Sequence, residues 1–110
     1  MITAEFFLNS NKFSGFRISG HSGYGDEGSD IVCASVSSAA MLAANMITED
    51  FGISADVSAE NNVLELKTKN IPDNSAAYKV INALYSHLEC IQEDYSENIT
   101  VRIIIDNTEV

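Results

Sequence analysis

GHSGYGDEGSDIVC, residues 20–33, separates two kinds of periodicity and so decides how the chain reads. Before it, apolar residues alternate at the period of two that marks a half-buried strand. After it, they recur at helical spacing. The stretch opens on His21, just past a strand end, carries four glycines within residues 20–28, and closes on Cys33 in the first turn of a long helix. A His and a Cys at the ends of two regular elements, joined by a pliable loop, are the parts of a thiol nucleophile and its base.

Upstream, Ile2, Ala4, Phe6 and Leu8 alternate with Thr3, Glu5 and Phe7, a strand with one defect. Asn9-Ser10-Asn11-Lys12 is turn chemistry, and Phe13 to Ser19 is the partner strand of a hairpin. Downstream, Ser29 or Asp30 is placed to cap a helix over about Ile31–Asp50, stopped by Gly52. Its core stripe is Val32, Val36, Ala39, Ala40, Ala43 and Ile47, widened by Leu42 and Met46 on one edge, with Cys33 on the other. Cys33 therefore belongs at the boundary of core and solvent.

Ile53 to Ala59 and Val63 to Thr68 form a second hairpin about Glu60-Asn61-Asn62. A linker ending in Asp73 or Asn74 caps a second helix with the stripe Ala77, Ile81, Leu84, Leu88, Ile91 and Tyr95. Ile99, Val101, Ile103 and Ile105 face inward on the last strand, and Ile104 on its other face suggests cover there by another subunit. The order is ββαββαβ, an α+β fold with a mostly antiparallel sheet and two helices, spanning residues 1–110 as one domain.

With 16 acidic and 6 basic residues the net charge is −10. There is no Lys/Arg cluster to neutralise phosphates, which argues against direct nucleic-acid binding, and the acidic field suits a basic partner. The uncharged run Ile31–Thr48 carries too many polar groups (Ser35, Ser37, Ser38, Asn45, Thr48) for a lipid span, so no membrane partner is expected. Two widely spaced Cys make no disulfide framework, and no signal sequence is evident. A cytoplasmic protein with free thiols is expected.

A helix N-terminus favours the Cys33 thiolate by about 0.3–1 kcal/mol when exposed. A nearby base such as His21 does more, since acid–base assistance contributes about 100- to 10,000-fold in rate. Asp30 can cap the helix, orient His21, or do both at different stages. Ser37 shares the helical face of Cys33, where it can bond near the thiol or back to a helical carbonyl. Backbone amides at the helix start are the expected oxyanion donors. Phe16 and Tyr24 are candidate groove residues. The loop residues Gly20, Ser22, Gly23, Tyr24, Gly25 and Gly28 are the expected substrate-facing segment. His87 and Cys90, three apart, could supply two metal ligands, but no other two are apparent and no phosphate loop or dinucleotide fingerprint occurs. No metal or cofactor is expected.

The run GHSGYGDEGSDIVCASVSS resembles the signature of the ribosomal-processing cysteine proteases, roughly G-H-A-G-Y, a short gap, then G-x-D-I-V-C-A-A-V-S. Ser22 and Ser35 stand where alanine is usual, and Gly25 adds a glycine to the gap. The resemblance implies an endopeptidase that removes the N-terminal extension of large-subunit ribosomal protein L twenty-seven during ribosome assembly. It implies Cys33 as nucleophile, His21 as base, Asp30 and Ser37 in support, a loop that orders around substrate, and a homodimer. The competing reading, from charge alone, is a non-catalytic acidic module that escorts a basic ribosomal protein.

Overall fold

The computed structural model describes residues 1–21, 23–26 and 30–106. Strands β1 (Ile2–Asn9) and β2 (Lys12–Ser19) form the first hairpin. Its two turn residues, Ser10 and Asn11, both take positive φ, 52° and 65°. That is the geometry whose twist matches antiparallel strands, and asparagine tolerates it. Strands β3 (Ala55–Glu60) and β4 (Val63–Thr68) repeat the device with Asn61 and Asn62, at 56° and 62°.

Between the hairpins lies α1 (Ile31–Asn45), which continues as a π turn over Met46–Asp50. The expected single helix thus widens in its last turn, where the Phe51 amide donates to the Met46 carbonyl at 2.9 Å and the Ile53 amide to that of Ile47 at 2.8 Å. Gly52, at φ +59°, ends it. Because Ile53 is still tied to the helix end, β3 begins at Ala55 and not at Ile53. Helix α2 (Ala76–Asp94) leads to β5 (Ile99–Ile105).

The sheet order is β3-β4-β2-β1-β5, antiparallel except for the parallel pair β1–β5. Register puts Ile99 beside Ile2, Phe6 beside Phe16, and Phe16 beside Leu66, so one face presents an apolar row across four strands. Both helices pack on it. Val32, Val36, Ala40, Ala43 and Ile47 from the first helical segment, and Ala77, Ile81, Leu84 and Leu88 from α2, join that row in one core. Fully burying a large side chain of this kind stabilises by about 1.5–3 kcal/mol.

The defect read in β1, Phe7, stays on the outer face under Lys67, and β2 carries a bulge opposite it. Phe7 pairs with Gly15 and Leu8 with Phe13, so Ser14 is the extra residue, its carbonyl accepting from Thr68 Oγ1 at 2.7 Å. The bulge swings Phe13 back to the helix side, where it stacks with Phe6 and Tyr85. The other face is polar. Arg17 lies between Glu5 and Glu65 at 3.9 and 3.8 Å, exposed pairs of small energetic consequence.

Several expectations give way here. Helix α2 is capped by Ser75, whose Oγ accepts from the Ala77 amide at 3.2 Å, and not by Asp73 or Asn74. The Ser75 amide donates to the Pro72 carbonyl, so residues 72–75 are spent on a turn before the helix starts. Leu42 is 63% exposed, because the sheet covers a narrower arc of α1 than the periodicity suggests. Ile103 and Ile105 do face the helix side, but on the far half of an edge strand whose contact with α2 lies at Val101, and Ile105 is 62% exposed. Val57, on the opposite edge, is likewise open at 46%.

Candidate active site

Residues at the ends of β2 and α1 meet in one groove. Antiparallel pairing sets Val63 opposite Ser19, so the tip of the second hairpin lies beside the strand end that leads to Gly20 and His21. Helix α1 starts at that end and runs along the hairpin. The result is a groove of about 570 Å³ with Gly20, His21, Cys33 and Ser37 among its walls. Its floor continues along α1 through Val36, Ala40 and Ala44. At 1.5 Å per helical residue, Cys33 to Ala44 spans about 16 Å, the length of about five residues of extended chain. Val57, Ala59 and Leu64 form the facing apolar wall, and Glu60 at the hairpin tip is its acidic side chain.

Gly20 makes the approach possible. It takes φ +88°, and a Cβ there would meet the Met1 carbonyl oxygen at 2.5 Å. The chain turns at this point without a side chain, and His21 emerges exposed at the groove rim.

Cys33 is half-buried and packs against the core, as the helical stripe predicts. Asp30 is the cap: its Oδ1 accepts from the Val32 and Cys33 amides, each at 3.0 Å, and its carbonyl accepts from the Ala34 amide at 3.1 Å. Its side chain is buried, with the residue 9% exposed. The amides of residues 32, 33 and 34 thus all hydrogen-bond to Asp30, so among the helix-start amides expected to serve an oxyanion these three already have an acceptor. Ser37 is exposed one turn below Cys33, in the groove, while Ser35 is the residue that bonds back to a helical carbonyl, that of Ile31, at 2.7 Å.

Phe16 does not line the groove; it is fully buried against Phe6. Tyr24 does not line it either, and its ring meets that of Tyr95 instead. Gly23 lies at φ +72° with open space where a Cβ would be, and Gly25 is exposed nearby. Ser22 and Gly28, the other expected loop residues, fall outside the described residues. His87 and Cys90 are exposed on α2, and no group of three or more metal-ligating side chains occurs among the described residues. Val57 and Met41 are groove residues that no local signal marks. Only the hairpin's placement at the sheet edge opens the space between them.

The profile of the family described as cysteine protease Prp matches residues 1–100. The chain belongs to this family. The ribosomal processing cysteine protease Prp of Staphylococcus aureus is 28% identical over 101 residues, covering 90% of this chain and 95% of that protein. The crystal structure of an essential ribosomal processing protease Prp from S. aureus, in complex with a covalently linked product peptide, superposes with a TM-score of 0.87 at 25% identity. It covers 94% of this chain and all of that one. SMU.848 from Streptococcus mutans shares the fold, with a TM-score of 0.77 at 23% identity over 96% of each chain. The Prp-family chain is therefore a cysteine protease, a hydrolase of peptide bonds, built on the α+β fold read from its sequence.

Proposed function

We propose that this chain is a thiol endopeptidase in which Cys33 attacks the scissile carbonyl and His21 moves the proton, and that its substrate is the N-terminal extension of ribosomal protein L twenty-seven. The observation that carries this is the shared groove: His21 and Cys33 stand at one end of a channel sized for about five residues of extended peptide. His21 takes the thiol proton as the sulfur bonds to the carbonyl carbon. The tetrahedral intermediate then collapses, His21 returns the proton to the leaving amine, and the amine departs. Water, deprotonated by His21, hydrolyses the thioester and restores the thiol. With the 32–34 amides held by Asp30, the Ser37 hydroxyl is the groove donor we assign to the oxyanion. Asp30 supports the site by fixing the first turn that carries Cys33.

The net charge of −10 favours a basic ribosomal substrate, and it equally supports an escort that binds without cutting. Mass spectrometry of the precursor after incubation separates the two. Endopeptidase action predicts a shortened product with the native chain and none with Cys33→Ala or His21→Ala. A Cys33→Ala protein that cuts at the native rate refutes the assignment, and a native protein that binds without cutting leaves the escort. The two free thiols support a reducing, cytoplasmic setting, and the exposed edge isoleucines Ile103 and Ile105 support a homodimer. Sedimentation of the native protein and an Ile105→Lys variant tests the latter.

A further inference from the structure

The groove gathers its titratable side chains at one end. Strand β3 advances about 10 Å from Val57 to Glu60, toward the end that holds Gly20 and His21, because Glu60 pairs with Val63 and Val63 with Ser19. Helix α1 runs the other way, from Cys33 to Ala44. Met41, Ala44 and Val57 therefore wall the far end, and Glu60 stands at the end of His21 and Cys33. Among the described groove residues it is the acidic side chain. The turn that follows fixes its place, with Asn61 and Asn62 at φ 56° and 62°. Acids elsewhere on the sheet and its connections have cations: Asp73 has Lys12, Glu5 and Glu65 share Arg17, and Asp56 has Lys69. Glu60 is an exposed carboxylate that joins none of these pairs and has no hydrogen-bond partner among the described residues. Ala59, Val63 and Leu64 flank it with apolar surface.

We propose that Glu60 is a specificity-determining residue: it takes a Lys or Arg side chain of the substrate close to the scissile bond, while apolar residues of the same peptide run along Val36, Ala40 and Ala44. An extended chain advances about 3.3 Å per residue and a lysine stem spans about two such steps, so the cation belongs within about two residues of the cut. The inference rests on the endopeptidase reading above and narrows its substrate class to peptides that are apolar in one part and carry a cation beside the cut. An exposed ion pair of this kind favours binding by about 1.4- to 5-fold. A carboxylate at the same substrate position meets a like charge and is disfavoured.

Peptides spanning the processing region of the ribosomal precursor, with Lys, Gln or Glu placed in turn at each position, test this. At one position near the mapped cut the native protein should show kcat/KM for Lys about 1.4- to 5-fold above Gln, with Glu below Gln. Glu60→Gln should level the three, and Glu60→Lys should invert their order. Salt at about 1 M should erase the native preference. Each reading is a ratio within one protein, so a loss of folded fraction in a variant cancels. The same ranking in the native protein and Glu60→Lys overturns the inference, as does a uniform loss on every peptide, the mark of a structural role. Binding of the labelled peptides to Cys33→Ala, read by fluorescence anisotropy, needs no proteolysis. If the native protein cuts none of them, but Cys33→Ala ranks Lys above Glu and adding Glu60→Lys inverts that order, the endopeptidase reading fails and the role of Glu60 stands. Cleavage of all three with equal kcat/KM and equal binding at every position leaves the endopeptidase and overturns the role of Glu60.

Discussion

Replacing Asp30 distinguishes a structural cap from a partner of His21, and the expected size can be worked from the structure. The carboxylate accepts two hydrogen bonds at 3.0 Å, from the Val32 and Cys33 amides, in a residue only 9% exposed. Loss of a cap costs about 0.5–2 kcal/mol, and a buried amide left without an acceptor costs about 1–3 kcal/mol. Water reaches the Cys33 amide more readily than that of buried Val32, so Asp30→Ala should destabilise by about 2 kcal/mol. At this chain length that lowers Tm by about 9 °C. Asp30→Asn and Asp30→Ser keep an acceptor and should stay within about 0.5 kcal/mol of the native protein. Urea denaturation gives the stabilities, and cleavage rates measured where every variant is folded give the rest. If capping is the whole role, activity should follow the stability order, with Asn and Ser near native. Asp30→Ala as stable as the native protein would refute the capping argument. Asn as stable as native but slow in cleavage would show that the charge itself is used, by His21.

Three further changes probe the groove and the core. Gly20→Ala should destabilise by at least about 1 kcal/mol and depress cleavage, because the backbone sits at φ +88° and the new Cβ meets the Met1 carbonyl. Gly23→Ala, at φ +72° in open space, should lose less, and equal losses in urea melts would remove the Met1 contact from the explanation. Phe6→Ala should cost about 3–5 kcal/mol, since Phe6 is fully buried and contacts the Phe13, Phe16 and Tyr85 rings. A loss under about 1.5 kcal/mol would mean that the aromatic cluster repacks. The Tyr85 hydroxyl, raised above its ordinary 10.0 by burial and by its hydrogen bond to and charge repulsion from Glu89, should ionise later than an exposed tyrosine. Its folded pKa exceeds its unfolded one, so its stabilisation is complete below about pH 10 and is lost as pH rises through the folded value. Absorbance titration of the native protein and Tyr85→Phe checks this, and an early phenolate signal from Tyr85 would contradict it.

The features legible in the sequence are those set by neighbours along the chain. The Asn-containing turns announced both hairpins, and Asp30 announced the start of α1. What could not be read depends on partners distant in sequence. Nothing near Leu42 says how wide an arc of α1 the sheet covers. Nothing near Ile105 says that β5 lies at the sheet edge, with β1 its only strand neighbour among the described residues. The same ignorance hid the groove, since nothing near Val57 says that β3 is an edge strand. The Ser75 cap is hidden for a local reason, because the turn after Pro72 consumes Asp73 and Asn74, the residues of capping type. Tyr24 read as a groove residue because its partner, Tyr95, lies a helix away.

The parallel pairing of β1 with β5 carries a kinetic consequence. Each hairpin closes across a two-residue turn, whereas Ile2 reaches Ile99 only after nearly the whole described chain has been ordered. Loop-closure entropy places that contact among the last to form. The groove draws almost entirely on β2, α1, β3 and β4, all of which precede α2 in the chain. A nascent or partly folded molecule can thus assemble most of the cleft early, with unpaired β1 and β5 edges exposed in the interval. A late stage of folding and the stage most prone to aggregation then coincide at a strand pair whose Ile2 end also lines the groove.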